Sequence, residues 1–356
     1  MINYNDVRHL HLEPSSLCNA RCPLCPRNHY GVNREDLGYT EHNMTLIEFK
    51  KIFTDTFIKQ LREINCNGNF GDPCMNPELV DIFKYARSVN PRIVLSICTN
   101  GGMRTKEFWS ELGAMNVDII FSIDGLEDTN HLYRQDVNWN NLMRNLDAYI
   151  EAGGKPNWKM IVFDHNRHQV EQVKALAVSK GVRDFTFWDS GENPHGRNSG
   201  PVYQRDGQLS HVIGKWSGPT EYKVHEDNFR RLLKDPMPSK LIEFDPDSIE
   251  IECFTKKNSS IYVTSTGLVF PCCFLGNATE SFGRPNMTNL EQVYELIKDH
   301  NALVHGLEAT MAWFGRVEPK WQGRSSEERL FMCDSNCGKV WVNDRSLAQT
   351  NKSVVV

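Results

Sequence analysis

Residues 8–26 read RHLHLEPSSLCNARCPLCP, and they join a short alternating segment to a loop that carries three cysteines. The alternation of polar and apolar residues over 9–12 is typical of a β-strand. The loop then presents Cys18, Cys22 and Cys25 in a C-x3-C-x2-C spacing. Three thiolates this close in sequence can converge on one inorganic core. We therefore expect a metal or iron–sulfur site directly after the first strand.

Beyond this loop, β-rich segments alternate with amphipathic helical patterns up to about residue 190. The predicted strands are Arg8–Glu13, Glu63–Gly68, Arg92–Thr99, Val117–Ile123, Asn157–Phe163 and Arg183–Trp188. The predicted helices are Thr45–Arg62, Glu78–Val89, Lys106–Met115, Trp139–Ala152 and His168–Lys180. Such repeats require parallel strands with right-handed crossovers, and the apolar strands predict a sheet covered on both faces. The pattern predicts an α/β fold, either an open barrel or a doubly wound sheet, with its chemistry at the carboxyl ends of the strands.

The rest of the chain divides by composition. We expect a barrel over 1–190, a bridging segment over 191–248, a C-terminal domain over 249–345 and a tail over 346–356. In the C-terminal domain, Ser259–Thr264 and Leu268–Phe274 flank Ser265-Thr266-Gly267, which is a hairpin signal. Asn289 is predicted to cap a helix that ends near His305.

Composition excludes several classes of protein. The 356 residues include 40 Lys and Arg against 45 Asp and Glu, so the net charge of −5 argues against nucleic-acid or membrane-surface partners. The first residues lack a basic region followed by an apolar run, so we expect no secretory signal, and no apolar run reaches the ~20 residues that span a bilayer. These features predict a cytoplasmic protein, in which thiols stay reduced. Its eleven cysteines, an odd number, therefore indicate metal ligation or catalysis rather than disulfides.

The first cysteine group resembles the signature of the radical S-adenosylmethionine (radical SAM) superfamily. A structural zinc site takes four protein ligands, whereas three cysteines on a 4Fe-4S cluster leave one iron open. The resemblance implies that this iron binds the amino and carboxylate groups of SAM. It also implies cleavage of SAM to methionine and a 5′-deoxyadenosyl radical, which abstracts a hydrogen atom from the substrate. The implied fold is a partial (β/α)6 barrel. Leu24 stands where the family often has an aromatic residue, and it is expected to pack on the adenine.

The loops after the next strands resemble the SAM-binding segments of the same family. In Gly68-Asn69-Phe70-Gly71-Asp72-Pro73, the resemblance assigns Gly71 and Asp72 to the SAM amino group. Glycines allow close approach to backbone carbonyls, and a carboxylate complements an ammonium group. The further expected SAM contacts are Asn100, the ribose-binding pair Ser122 and Asp124, and the carboxylate partner Arg134. Each segment alone is also an ordinary loop, and Arg134 is also interpretable as a solvated salt-bridging residue.

A second group of cysteines lies in the C-terminal third. Cys253 and Cys272 flank Gly267 in a C-x13-G-x4-C spacing, and Cys333 and Cys337 follow near the end. Both elements resemble the auxiliary-cluster extension called SPASM, or its shorter form, twitch. The resemblance implies one auxiliary 4Fe-4S cluster on these four cysteines. We expect Cys272 and Cys273 to face opposite sides of a strand, with Cys272 the ligand. A four-cysteine zinc site is the alternative.

The remaining chemically active residues have no distinctive spacing. Cys66, Cys74 and Cys98 lie on or beside predicted strands and are expected to be core residues, as free cysteines commonly are. His9 and His11 alternate along the first strand and share a face, which either meets a substrate or belongs to the core. No residue is assigned as the catalytic base.

The function expected from these features is radical SAM chemistry followed by oxidation of the substrate radical through the auxiliary cluster. The resemblance implies either dehydrogenation of a small-molecule alcohol or modification of a peptide side chain. It also implies a flavodoxin- or ferredoxin-type electron donor. One alternative is redox-neutral epimerisation, in which a thiol such as Cys74 or Cys273 returns the hydrogen atom. The other is a non-catalytic, zinc-binding interaction protein.

Overall fold

The structure is a computed structural model that describes residues 2–25, 27–33, 40–189, 199–214, 249–280, 300–317, 319, 333, 337–340 and 353–355. Three predictions fall largely outside these residues: the bridging segment, the greater part of the helix from Asn289 and most of the tail.

The strands are β1 His9–Leu12, β2 Asn28–His29, β3 Val32–Asn33, β4 Glu63–Cys66, β5 Val94–Thr99, β6 Asp118–Ser122, β7 Asn157–Val162, β8 Asp184–Asp189, β9 Gly200–Tyr203, β10 Leu209–Ile213, β11 Ile249–Ile251, β12 Ser260–Val263, β13 Val269–Phe270, β14 Gly338–Val340 and β15 Ser353–Val355. The α-helices are α1 Leu46–Ile52, α2 Asp55–Gln60, α3 Leu79–Val89, α4 Lys106–Ala114, α5 Glu127–Tyr133, α6 Trp139–Glu151, α7 Val170–Ser179, α8 Phe254–Asn258, α9 Cys273–Glu280, α10 Ala302–His305 and α11 Leu307–Met311. Short 3-10 turns occur at Tyr4–Asp6, Pro73–Met75, Arg167–Gln169 and Ala312–Arg316.

One open sheet organises the fold, with the strand order β13-β12-β1-β4-β5-β6-β7-β8-β15. The six predicted strands correspond to β1 and β4–β8, and neighbouring members of this set pair in parallel. The outermost pairs at the two edges, β12–β13 and β8–β15, are antiparallel. Within the described residues the edge strands β13 and β15 do not pair with each other, so the sheet is open. This arrangement confirms an α/β fold with a partial barrel. All six carboxyl ends meet at one edge of the sheet.

The two faces of the sheet differ in burial. Leu10, Ile64 and Met160 are fully buried in the core beneath the helices. The alternating residues, such as His11 and Lys159, are partly exposed on the opposite face. The expectation that both faces are covered is therefore wrong for this inner face. In a partial barrel the concave face lines a cavity instead of packing against helices.

The predicted hairpin is confirmed as β12 and β13, and it continues the barrel sheet because β12 pairs in parallel with β1. The turn places Gly267 at φ +86°, a conformation that favours glycine. The second strand ends at Phe270, earlier than expected. Cys272 lies in the bend that follows, and Cys273 begins α9. The expectation that both cysteines lie on a strand is therefore wrong.

Capping explains why the helix predicted over Thr45–Arg62 is two helices. Thr45 caps α1 in a reciprocal capping box with Glu48, as the sequence predicts. Thr54 then accepts a hydrogen bond from the Phe57 amide and starts α2. Among the described residues, no helix is both long and apolar enough to cross a membrane.

We expect Thr45→Ala to lower the free energy of unfolding by about 1 kcal/mol, because α1 loses its capping hydrogen bond. Thr105→Ala is the matched control, since Thr105 precedes α4 without making a side-chain capping bond. Urea unfolding of both variants measures the difference. Equal losses of unfolding free energy in the two variants would contradict the assignment of Thr45 as the cap of α1.

Candidate active site

The first cysteine group occupies the loop between β1 and β2, at the carboxyl edge of the sheet. The Cys25 amide donates to the Cys22 carbonyl at 3.1 Å and tightens the loop. Arg21 lies within the loop and anchors it to residues outside, since its Nε donates to Asp136 at 2.6 Å and its Nη1 donates to the Gly31 carbonyl at 2.5 Å. The loop is therefore held in one shape by contacts beyond itself.

Nitrogen donors lie within hydrogen-bonding distance of two of the three sulfur atoms. The Ala20 amide lies 3.4 Å from the Cys18 sulfur, and the Asn100 side-chain amide lies 3.9 Å from it. Arg134 Nη1 lies 3.5 Å from the Cys22 sulfur. Hydrogen bonds to sulfur stabilise thiolates and tune iron–sulfur clusters. The surroundings of this loop thus suit charged sulfur ligands.

Burial is the main reason that the thiol pKa values in this loop are raised. The pKa of Cys25 rises to about 11, with the neighbouring Cys22 adding to the effect of burial. The pKa of Cys18 rises above its ordinary value through burial and then through the charge of Asp72. Burial of this kind makes a thiolate costly unless a cation offsets its charge, as happens on metal ligation. The donor set therefore fits a cationic inorganic core.

The loop after β4 approaches the cysteine loop very closely. A Cβ atom at Gly71 would lie 1.8 Å from the Ser15 carbonyl oxygen, so only glycine fits there. The neighbouring Asp72 carboxylate is buried and accepts four donors: the Cys74 amide at 3.0 Å, Thr99 Oγ1 at 2.8 Å, and the Asn100 amide and side chain at 2.8 and 2.7 Å. Burial raises the pKa of Asp72, and these bonds oppose the rise. Asp72 thus joins two successive loops, and its contact with SAM stays a prediction.

An ion pair connects the loop after β6 to the first cysteine group. Asp124 is fully buried, and it accepts hydrogen bonds from Arg134 Nε at 2.6 Å and from the Ile161 amide at 2.6 Å. The Arg134 guanidinium therefore lies between a carboxylate and the Cys22 sulfur. Its side chain is only 17% exposed, so the interpretation as a solvated surface arginine is wrong.

The other predicted residues are distributed as follows. Ser122 is buried at the end of β6, with its hydroxyl 3.6 Å from the Cys98 sulfur. Leu24 is partly buried against the core. Core positions are confirmed for Cys66 and Cys74. The same expectation is wrong for Cys98, which is partly exposed because β5 turns it towards the inner face.

The second cysteine group comes together from three separate segments. Cys253, Cys272, Cys333 and Cys337 line one small cavity, whose walls also include Ile251, Phe274 and Val317. The pairing of β11 with β14 brings the first and last of these cysteines together. Thr255 Oγ1 donates to the Pro271 carbonyl at 2.7 Å and holds α8 against the segment that carries Cys272.

The thiol pKa values reflect the same proximity. Burial raises the pKa of Cys272 well above its ordinary value, and the charges of Cys273, Cys333 and Cys337 add to the rise. The pKa of Cys337 is raised by burial and then by Cys253. The four residues that the spacing selected are thus close enough to influence one another.

A larger cavity, about 320 Å³ in volume, lies on the inner face beside this group. Its lining is His9, Leu10, His11, Glu63, Asn65, Phe254, Asn258, Ser260, Ile261, Tyr262, Pro271, Cys272 and Cys273. Cys272 therefore belongs to both cavities, whereas Cys273 faces the larger one. Of the two interpretations of His9 and His11, the structure supports the one that places them on a cavity.

No three or more His, Cys, Asp or Glu side chains in the described part of the chain form a group that could hold a single metal ion. A cubane cluster carries each cysteine on a different iron atom, so its ligands stand farther apart than those of one ion. The assignment of ligands to either cysteine group stays a prediction.

The family model described as the radical SAM superfamily matches residues 12–177, which include the cysteine loop and most of the barrel. Residues 12–177 are a radical SAM domain. The predicted radical SAM family is therefore confirmed over these residues, which are just under half of the chain.

Two curated relatives resemble the chain. One is a tungsten-containing aldehyde ferredoxin oxidoreductase cofactor-modifying protein of Pyrococcus furiosus, 32% identical over 122 residues, or 34% of this chain and 32% of that protein. The chain thus matches about a third of that relative's length. The other is a GTP 3′,8-cyclase of Microcystis aeruginosa, 24% identical over 287 residues, which cover 75% of this chain and 82% of that protein. Among solved structures, SuiB of Streptococcus suis bound to S-adenosylmethionine has a TM-score of 0.48 at 15% identity, over 76% of this chain and 61% of SuiB.

The ion pair in the radical SAM domain gives a stability prediction. Arg134→Met leaves the buried carboxylate of Asp124 unpaired, so we expect the metal-free protein to lose about 3–5 kcal/mol of unfolding free energy. Arg183→Met is the matched control, because Arg183 is 42% exposed and pairs with exposed carboxylates of Asp118 and Asp184. Its expected loss is about 1 kcal/mol or less. Similar losses in the two variants, measured by urea unfolding, would refute the claim that the buried pair contributes more to stability than an exposed one.

Proposed function

We propose that the protein is a radical SAM enzyme that oxidises its substrate with the help of a second, auxiliary 4Fe-4S cluster. One observation carries the proposal. Four cysteines from three distant segments line a single cavity, and one of them, Cys272, also lines the larger cavity on the inner face of the barrel. A redox centre at the second group would therefore adjoin the space in which a substrate fits.

The first group is proposed to hold the cluster that binds SAM, with Cys18, Cys22 and Cys25 as ligands. When bound there, the cluster and SAM supply the 5′-deoxyadenosyl radical that abstracts a hydrogen atom. The residues around it hold the ligands in place, since Arg134 and Asn100 both reach sulfur atoms. The residues proposed to contact SAM are Leu24, Gly71, Asp72, Asn100, Ser122, Asp124 and Arg134.

The second group is proposed to hold a cluster that accepts an electron. Four thiolate ligands, Cys253, Cys272, Cys333 and Cys337, leave no open iron for a substrate, so electron transfer is the use that remains. The wall of the cavity is largely apolar, and an apolar surrounding helps to set the reduction potential of a cluster. Cys273 is proposed to be a neighbour and not a ligand.

Oxidation of an alcohol carbon also requires a base. After the hydrogen atom leaves, the carbon radical would become a carbonyl by losing one electron, which a cluster held by the second group would accept, and one proton, which a base of the protein would take. His11 is our candidate for the base. Its Nε2 contacts the Asn67 carbonyl, which only accepts hydrogen bonds, so Nε2 carries the ring proton and Nδ1 has the free lone pair. Burial lowers the pKa of His11, which keeps the ring neutral.

The substrate is proposed to occupy the inner-face cavity. A volume of about 320 Å³ is near the lower end of the range for small-molecule sites. The side chains of Glu63, Ser96 and Asn65 form a hydrogen-bonded chain along the same face, with both bonds 2.7 Å long. This polar lining suits a hydroxyl-bearing small molecule or one polar side chain of a peptide. A small flavodoxin- or ferredoxin-type protein is the proposed electron donor.

Redox-neutral epimerisation is the second candidate, and one observation favours it. Cys273 lines the inner-face cavity, where a thiol could return a hydrogen atom to a substrate radical. Cys74 is 2% exposed in the core and is not suited to that role.

Anaerobic purification followed by metal analysis tests the proposal. We expect about eight iron and eight sulfide per chain, as two cubane clusters require, and formation of 5′-deoxyadenosine from SAM after reduction with dithionite. Cys22→Ala should abolish SAM cleavage and lower the iron content by about half. Cys337→Ala should also lower the iron content, but it should spare SAM cleavage, because the second group does not bind SAM. Cys66→Ala is the control, since Cys66 is a core residue outside both groups.

Three results would contradict parts of this proposal. A colourless protein with about two zinc ions per chain would favour the zinc-binding interaction protein. About four iron per chain, all lost in Cys22→Ala and none in Cys337→Ala, would remove the auxiliary cluster. A product that differs from the substrate only in configuration and carries deuterium from D2O would favour epimerisation, provided that Cys273→Ala abolishes the incorporation.

A further inference from the structure

Glu13, directly after β1, is a buried carboxylate that the SAM-binding assignments do not include. It is 1% exposed. Its Oε1 accepts hydrogen bonds from the Phe70 and Gly71 amides, both 2.8 Å long, and the Tyr262 hydroxyl donates to Oε2. A carboxylate in such a position is costly unless its oxygens are occupied by donors. Here the donors come from two different parts of the chain.

These bonds fix which groups the loop over 68–71 can offer to a ligand. The amides of Phe70 and Gly71 are used by Glu13, and the Asp72 amide donates to the Leu17 carbonyl at 2.8 Å. Three consecutive N–H groups are therefore already satisfied within the protein. The loop is left to present carbonyl oxygens, which accept hydrogen bonds from an ammonium group.

Gly68 shows how closely Glu13 and this loop fit together. A Cβ atom at Gly68 would lie 2.1 Å from the Gly71 carbonyl oxygen and 2.9 Å from Glu13 Oε1. The loop therefore folds tightly around the carboxylate. Loss of the carboxylate would leave two amide groups without their acceptor inside a packed turn.

The other side of the loop is fastened to Cys273, the neighbour of the second cysteine group. The Asn69 side-chain amide donates to the Cys273 carbonyl at 2.9 Å. Tyr262, which donates to Glu13, lies on β12 and lines the inner-face cavity together with Cys272. The loop after β4 is thus held between the first strand and the segment that carries the second group.

We propose that Glu13 is a positioning residue that holds the 68–71 loop in its SAM-binding shape, and that Asn69 couples this loop to the second cysteine group. The inference rests on the proposed function, because it takes SAM as the ligand of the loop. It adds a residue that acts through the backbone amides and not through direct contact with SAM. It also predicts that the two sites influence each other.

Two Glu13 variants test the first part. Glu13→Ala removes the acceptor, and we expect about a tenfold weaker Kd for SAM in reconstituted protein, measured anaerobically by equilibrium dialysis. Iron content and the cluster absorbance should stay unchanged. Glu13→Gln keeps an amide oxygen for the two N–H groups, so we expect it to restore SAM affinity to within about twofold. Glu48→Ala is the matched control, because Glu48 likewise accepts a backbone amide, that of Thr45, but belongs to α1 and not to the loop or to either cysteine group.

Amide hydrogen exchange in the metal-free protein gives a readout that needs no cluster. The amides of Phe70 and Gly71 should exchange at least tenfold faster in Glu13→Ala than in the wild type or in Glu13→Gln. Unchanged exchange together with unchanged SAM affinity in Glu13→Ala would overturn the inference. Fast exchange with no SAM cleavage in the wild type would instead refute the proposed function and the role in SAM binding, while the support of the loop by Glu13 would stand.

Asn69→Ala tests the second part. In the wild type, SAM should shift the EPR spectrum of the reduced second cluster. The Cys22→Ala variant, which retains Cys337, supplies the reference spectrum of the second cluster alone. We expect Asn69→Ala to remove that shift and to leave the iron content unchanged. The same shift in Asn69→Ala as in the wild type would overturn the coupling.

Tyr262→Phe keeps the ring but removes the donor to Glu13, so it should weaken SAM binding less than Glu13→Ala.

Discussion

Three buried carboxylates hold the carboxyl edge of the sheet together. Glu13 after β1 accepts amides of the loop after β4, and Asp72 in that loop accepts donors from the end of β5. Asp124 after β6 accepts the Ile161 amide of β7 and the guanidinium of Arg134. An unpaired buried carboxylate is strongly destabilising, so each one constrains the next element along the sheet. The loops that form the candidate site are thus joined to one another by hydrogen bonds to buried carboxylates, and at Asp124 also by an ion pair.

This constraint explains the chemistry available at the first cysteine group. The carboxylates accept hydrogen bonds from the protein and thereby fix the backbone and side-chain groups near the cysteines. Arg134 extends from Asp124 to the Cys22 sulfur, and Asn100 extends from Asp72 towards Cys18. Both sulfur contacts are therefore set by a residue that a carboxylate already holds. Fixed donors of this kind are what tune a cluster without binding the metal themselves.

Sequence patterns predicted the strands well because their signals are local. The alternation in β1 and the turn residues beside each strand placed the boundaries of the six parallel strands within about two residues, and β7 begins at Asn157 as expected. The cysteine spacings also selected residues that the structure brings together. The helix break at Thr54 was missed, because a second capping residue outweighs a continuous helical pattern. Glu13 was missed for a different reason, since its partner Tyr262 is 249 residues away and no local pattern reports such a contact.

The central claim is that the chain holds two clusters with different coordination, one open to SAM and one closed by four cysteines. EPR spectroscopy of the dithionite-reduced, reconstituted protein measures this directly. The account predicts two distinct signals from reduced 4Fe-4S clusters, with added SAM producing its major change in only one of them. That signal should be absent from Cys22→Ala, and the other should be absent from Cys337→Ala. A single signal in the wild type that is lost in Cys22→Ala and unaffected by Cys337→Ala would contradict the claim.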